Sequence, residues 1–324
     1  MARALSFPPM RIPVPRRFGW PAVGVVIATR NRPNLLRRAL GSVLAQDYRG
    51  PLRIVVVYDG APPDTRLART GWRPVDVLRN ARAAGLAGAR NTGILALGDC
   101  GLIALCNDDD TWLATKLTRQ VLALGCRPRA LFATCAAEVE YDGRYTPHLA
   151  RVPELDVDLL SRDRTRVPRP SGFVARRHAL VTDYADGGVG LLAEDAPADG
   201  EDWDLLLRAA RRAPIVHLDV PLVRVLWRPG DADLDECSDR ARALRWMIDR
   251  HPEIRDRPPA AARLHAEIAC WEAAAGRRAD AWTATRRALR LRWYAPSAAR
   301  AVVAAAGMLR GARLIAVLQR RRLP

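Results

Sequence analysis

The residues best suited to chemistry are three consecutive aspartates, Asp108, Asp109 and Asp110, lying between Asn107 and Thr111-Trp112. They follow the apolar run Gly101-Leu102-Ile103-Ala104-Leu105-Cys106, which reads as a buried strand. That order puts the carboxylates at the carboxyl end of a strand, where open α/β sheets bind ligands. Adjacent like charges repel, and a hard cation such as Mg²⁺ or Mn²⁺ offsets the repulsion through carboxylate oxygens, usually shared with substrate phosphates. A solvated acidic turn capping the next helix is the plain alternative, since Asp and Thr both make good N-caps. A second stretch, Gly85-Leu86-Ala87-Gly88-Ala89-Arg90-Asn91-Thr92-Gly93, is small enough to let backbone approach a ligand or a neighbouring element closely. It ends in no Gly-Lys-Ser/Thr and is not GxGxxG, so it is neither phosphate loop.

The elements that would position these residues alternate in type. Ala22 to Ala28 is a β-branched run that predicts a first strand, ending at Thr29-Arg30-Asn31-Arg32-Pro33. Leu35, Leu36, Ala39, Leu40, Val43 and Leu44 recur at helical spacing between Asn34 and Gln46. Leu52 to Val57 predicts a second strand ending at Tyr58-Asp59-Gly60, and Val75 to Leu78 a third. Strand–helix–strand alternation of this kind implies a parallel α/β sheet flanked by helices. After the acidic cluster come a helix carrying Leu113, Leu117, Val121 and Leu124, and strands at 130–134 and 136–141. The segment 142–169 is irregular, as long acceptor-side lids are. Residues 170–174 read as a strand lining a site, Gly200-Glu201-Asp202-Trp203-Asp204 opens a helix, and 215–218 and 222–227 are closing strands.

The resulting division is a Pro- and Arg-rich flexible arm at 1–21, a main α/β domain at 22–229 and a helical extension at 230–324. Within the extension, 266–275 and 279–289 resemble a tetratricopeptide-like pair, which must pack on the main domain to be stable. The last segment, 298–322, alternates apolar stretches with arginines. It offers a peripheral contact with an anionic membrane, while a docked helix with a solvated arginine face is the preferred reading.

Composition narrows the function. The net charge is +17 and the sequence pI about 10.9, yet Lys116 is the only lysine. Arginine-for-lysine usage beside abundant alanine suggests a GC-rich bacterial genome, which makes the charge partly compositional. No helix-turn-helix, zinc-finger or RNP signature accompanies it, so nucleic acid is not expected as a partner. The six cysteines form no CxxC pair, which argues against structural zinc and for a reduced setting. No signal-peptide core and no spanning apolar stretch is evident, so a cytoplasmic protein is expected, with the inner face of the plasma membrane as its peripheral site.

Six motifs then converge. Val25 to Pro33, Ser42 to Tyr48, Val55 to Gly60, Gly85 to Gly93, Asn107 to Trp112 and Gly200 to Asp204 together resemble the family-2 glycosyltransferases of the GT-A fold. The resemblance runs from about Val23 to Pro229 and excludes the C-terminal helices. It implies a Rossmann-like, mostly parallel sheet and a metal-dependent, inverting transfer of a hexosyl or deoxyhexosyl group from a nucleotide-sugar donor to a glycan or lipid-linked acceptor. It implies that Thr29, Asn31, Asp59 and Arg90 contact the nucleotide, with Asn107 and Asp108 toward the ribose. Asp109 and Asp110 become the Mn²⁺ or Mg²⁺ candidates, with Asp110 alternatively standing behind the ion's ligands or capping the helix that begins near Trp112. Asp202 becomes the general base, and Glu201, Trp203 and Gly172 fall on the acceptor side. Two departures stand out: Tyr58 where an acid commonly precedes Asp59, and Asn107 as the first member of the DXD motif. A non-catalytic nucleotide-sugar or partner-binding relative is the alternative they suggest, ahead of a sugar-1-phosphate nucleotidyltransferase.

Overall fold

The computed structural model describes residues 19–141, 143–162, 167–198, 200–226 and 234–307. The expected N-terminal arm thus lies almost wholly outside the described residues, as do the boundary at Pro229 and the basic stretch from Met308 to Arg322.

The run after Pro21 forms β1 (Val23–Thr29), buried along its length. Its side chains alternate between two cores, Val23, Val25 and Ile27 on one face and Val26 and Ala28 on the other. A strand covered on both faces reads as a continuous apolar run. α1 (Pro33–Leu44) begins on a proline whose fixed φ suits a first helical turn, and buries Leu36, Ala39, Leu40 and Val43. β2 (Leu52–Tyr58), β3 (Val75–Arg79), α2 (Leu86–Ala96) and β4 (Leu102–Asn107) complete a parallel half-sheet in the order β3-β2-β1-β4. α2 lies so close to β1 that a Cβ on Gly93 would sit 2.4 Å from a Val26 methyl. Only glycine fits there.

β5 (Thr111–Trp112), α3 (Lys116–Gly125), β6 (Phe132–Tyr141), β7 (Arg144–His148), β8 (Glu154–Leu155) and α4 (Val157–Arg162) follow. A 3₁₀ turn at Pro170–Gly172 leads into β9 (Val174–Arg176), α5 (Arg177–Val181), α6 (Glu201–Arg212) and β10 (Ile215–Leu226). β9 runs antiparallel to both β4 and β6 and joins the halves into one ten-stranded sheet, β3-β2-β1-β4-β9-β6-β10-β5, with β7 on β6 and β8 on β10. This is the expected α/β architecture.

Three expectations change in detail. The strands expected at 130–134 and 136–141 are one strand, since Cys135 between them is a buried residue and not a turn former. The strands expected at 215–218 and 222–227 are also one. Pro221 has no N–H for the ladder, and the register shifts around it as a bulge instead of breaking the strand. The segment read as irregular contains β7, β8 and α4, and residues 170–172 form a turn before β9.

The extension comprises α7 (Leu234–Arg250), α8 (Pro252–Arg255), α9 (Pro258–Ala274), α10 (Arg278–Arg292) and α11 (Pro296–Ala305). Packing on the main domain is met: one apolar core runs from Val26 through Trp203 and Leu206 to Leu244, Trp271 and Ala301. Polar contacts reinforce the seam. Asp204 on α6 accepts from Arg208 (2.8 Å) and from Arg250 (2.9 Å), and His251 Nε2 lies 3.1 Å away. Burial pushes the Asp204 pKa up, but His251 and the two guanidiniums outweigh it and bring it down to about 2. Among the described residues no helix is long and apolar enough to cross a membrane.

Candidate active site

The sheet register decides which residues meet. Thr29 pairs with Tyr58 across β1–β2, and Ala28 pairs with Asn107 across β1–β4. The carboxyl ends of three adjacent strands are therefore level, and the loops carrying Asn31, Asp59 and Asp108 leave from one edge. Here the chain order folds back across the sheet, the usual position for a ligand crevice.

Asp59 is the best organised of these groups. It accepts from Asn80 Nδ2 (2.9 Å), from the Gly85 N–H (3.1 Å) and from Arg30 Nη2 (3.0 Å). Burial raises its pKa, but the three donors prevail and hold it below the ordinary carboxylate range. Gly85 serves through its conformation: its φ of 121° is open to glycine, and it places the donating N–H at the start of α2. Asn31, at φ 136°, is one of two described non-glycine residues with positive φ. Such strain persists where surrounding structure over-determines it, often at a functional loop.

The aspartates divide by exposure. Asp108 is 1% exposed, accepts from Thr29 Oγ1 (2.6 Å), and is flanked by Arg32 through Nε (3.2 Å) and Nη2 (2.7 Å). Asp109 is 32% exposed and takes the remaining arm of the same guanidinium, Nη1, at 2.8 Å. Asp110 turns inward: it is buried and accepts from Ser171 Oγ (2.5 Å) and Asn107 Nδ2 (3.1 Å). Burial, assisted by the charge of Asp109, pushes its pKa up to about 6. Asp110 thus braces the cluster from within, its Oδ2 taking both Ser171 and Asn107.

Asn107 makes sense in this setting. Its amide nitrogen donates to Asp110 while its oxygen accepts from Arg90 Nη2 (2.9 Å), and its backbone N–H donates to Ser171 Oγ (2.8 Å). An aspartate there would turn an acceptor toward the Asp110 carboxylate. Arg90 belongs to the same internal network. It is 3% exposed, and its other arm reaches Glu201 Oε1 at 3.1 Å, so it ties β4 to α6 from behind. Both arms of the guanidinium are thus engaged in the interior.

α6 brings the second acidic group to this cluster. Glu201 is buried on Arg90, so it too braces the site from within. Trp203 is 2% exposed and donates its indole N–H to the Leu160 carbonyl at 3.1 Å, which puts it in the core. Asp202, beside Glu201, is half-buried and makes no hydrogen bond or ion pair among the described residues. It is the carboxylate of this helix end left available. Gly172 packs its backbone on Cys135, where a Cβ would lie 3.2 Å from the Cys135 carbonyl oxygen, and its own carbonyl accepts from Gln120 (2.7 Å). Asp195 pairs at long range with Arg250 on the surface (3.9 Å).

The groups sequence reasoning missed are Arg32, Arg30, Asn80 and Ser171. Arg30 and Arg32 stand in a quoted motif, directly after the strand, and that adjacency was the available signal. Ser171 falls in the 170–174 segment expected to line a site, but nothing in that segment singled it out.

The donor set suits a divalent cation only with help from a ligand. Among the described residues no three His, Cys, Asp or Glu side chains form a metal cluster. A magnesium-like ion needs only one or two protein carboxylates when a diphosphate and water complete its shell. Asp109, with Asp108 behind it, fits that requirement, and the Arg32 guanidinium already marks the spot as one that attracts a cation.

Comparison with known proteins agrees with this geometry. Residues 24–181 match glycosyl transferase family 2. The chain carries a domain of that family. The glycosyltransferase fold is shared with solved structures of low identity. TarS 1–349 of S. aureus in complex with UDP-GlcNAc superposes with a TM-score of 0.56 at 12% identity, covering 93% of this chain and 92% of that one. The mannosyltransferase PcManGT of Pyrobaculum calidifontis, in complex with GDP-Man and Mn²⁺, gives 0.53 at 20% identity over 88% and 86%. These likenesses cover the helical extension as well as the glycosyltransferase domain. An uncharacterized protein, y4gI of Sinorhizobium fredii, is 32% identical over 115 residues, which is 34% of this chain and only 12% of that protein.

Proposed function

We propose that this glycosyltransferase moves a hexosyl or deoxyhexosyl group from a nucleoside-diphosphate-sugar to a hydroxyl on a bacterial glycan or lipid-linked acceptor, with inversion. The reading includes work at the cytosolic face of the cell envelope. One observation carries it: Thr29, Asp59, Asn107 to Asp109 and the start of α6 converge at the carboxyl edge of β1, β2 and β4. The nucleotide-sugars bound to the structural neighbours support the donor class.

Each residue has a distinct part. Asp59, held ionised by its three donors, is suited to accept from N–H or O–H groups of a base or ribose. Asn31 and Thr29 border the same recess. A divalent cation, when bound with the donor, supplies Lewis-acid stabilisation of the departing diphosphate. Asp109 would hold it from the protein side, and Asp108 would join once Arg32 withdraws. Asp202 takes the proton from the acceptor hydroxyl, and a base opposite the leaving group dictates in-line displacement. Arg90, Glu201, Asn107, Asp110 and Ser171 keep β4 and α6 in register with one another.

The test is turnover of nucleotide-sugars by the purified chain with Mn²⁺ or Mg²⁺. Asp109→Asn and Asp202→Asn should each lower kcat by at least about a hundredfold, the usual weight of a cation ligand or general base. Wild-type rates in both variants sink the proposal. Saturable nucleoside-diphosphate binding with no turnover on any donor supports the non-catalytic alternative, which the Arg32 clamp on Asp108 and Asp109 favours.

A further inference from the structure

A second candidate site lies in the helical extension. α7, α9 and α10 enclose a cleft of about 570 Å³ whose walls carry Arg242, Arg245, Arg277 and Arg287, together with His265, Glu272 and Asp280. Four guanidiniums face two carboxylates. The arrangement is built from the inside: Glu272 is 1% exposed and receives Arg245 Nη1 and Arg277 Nε, each at 2.5 Å. One buried carboxylate thus fixes two half-exposed guanidiniums and leaves most of their N–H donors over. A merely solvated arginine face needs no such anchor.

The other acids do little to fill the site. Asp280 is 3.8 Å from Arg277, and Arg242 meets Asp239 at the exposed rim (2.7 Å). Arg287 has no carboxylate within ion-pair distance among the described residues. His265 reports the local field: burial first, then Arg287 and Arg245, push its pKa down to about 4, so it is neutral at ordinary pH. A neutral imidazole still offers one donor and one acceptor to a ligand.

We infer that this cleft binds a phosphate-bearing ligand the size of a sugar phosphate or diphosphate, separately from the donor site. Guanidinium forks match phosphate oxygens in pairs, and a charge excess behind low-dielectric helix walls concentrates anions. The volume falls in the range of small-molecule pockets and is far more than one bare ion needs. The same chemistry comes from two sources, a soluble phosphate ester or the headgroup of a phospholipid.

Two arms separate the sources. In EDTA, so that no cation assists the donor site, inorganic pyrophosphate and glucose 1-phosphate are titrated calorimetrically into the full chain. In parallel, co-sedimentation is measured with vesicles of phosphatidylglycerol and phosphatidylcholine, and with phosphatidylcholine alone. The paired variant Arg242→Ala/Arg287→Ala should weaken binding by roughly tenfold for each charge-assisted hydrogen bond it removes. Both side chains are exposed, so its melting temperature should match that of the unaltered chain. Arg242→Lys/Arg287→Lys should restore part of the affinity, and Asp59→Asn should leave it unchanged. Weakening in the first arm names a soluble ester, and weakening in the vesicle arm names a headgroup. Equal binding by the paired alanine variant, or none in either arm, overturns the inference.

Discussion

At the scale of single residues the site is a problem in placing negative charge. Four acids, Asp108, Asp109, Asp110 and Glu201, crowd one edge of the sheet, and each is met by a different donor set. Arg32 serves two of them at once and is itself about half exposed. A divalent cation using Asp109 must compete with that guanidinium. Arg32→Ala should therefore raise the affinity for Mn²⁺ with a nucleoside diphosphate, by roughly two- to tenfold given the modest weight of partly exposed pairs. Calorimetry reads it directly; weaker binding in the variant would mean that Arg32 itself holds the diphosphate. Asn107→Asp tests the inner brace. It sets a second carboxylate against Asp110, whose pKa already stands near 6, and like charges raise it further. The penalty exists only while both are ionised. The variant should lose about 1–3 kcal/mol at pH 7.5, and most of that loss should vanish near pH 5. A loss independent of pH would remove the charge explanation.

At the scale of elements, α3 holds an unusual group. Lys116, the only lysine in the chain, is fully buried with Nζ 3.9 Å from the centre of the Trp112 ring and no hydrogen-bond partner among the described residues. Burial lowers its pKa from 10.5 to about 8. The unfolded chain keeps this proton up to about 10.5, so between pH 8 and 10.5 the unfolded state binds more protons and stability rises with pH. Lys116→Met removes the penalty. It should stabilise the protein by up to about 3 kcal/mol below pH 8, with the advantage over the unaltered chain shrinking toward pH 10.5. Denaturation curves of both proteins across that interval give the difference. A constant difference would show that the lysine is charged and compensated throughout.

At the scale of the whole molecule, the glycosyltransferase domain and the helical extension share one core and the Asp204 charge cluster. A shared core couples the two parts, so calorimetry should record one transition, with equal van 't Hoff and calorimetric enthalpies. Two resolved transitions would mean that the seam is only a contact. The same coupling predicts that a chain ending at residue 226 exposes apolar surface on α4 and α6 and aggregates.

Much was legible in the chain alone. Apolar runs and helical spacing determined the α/β alternation, because burial on two faces and on one face leave different periodicities. The order of six motifs determined the family, and Asp59, Asp109 and Asp202 stood out as acids at element ends. Tertiary structure alone decided which of the motif residues are buried and which stay exposed. Trp203 and Arg90 look exposed in a motif but are buried, since helix orientation fixes which side of α6 and α2 meets the sheet. Ser171 and Asn107 joined Asp110 only through register between β4 and the turn before β9. Spacing along a chain carries no record of contacts made across 64 residues, such as that between Asn107 and Ser171. Those depend on the pairing of strands, and the pairing is settled by the whole core at once.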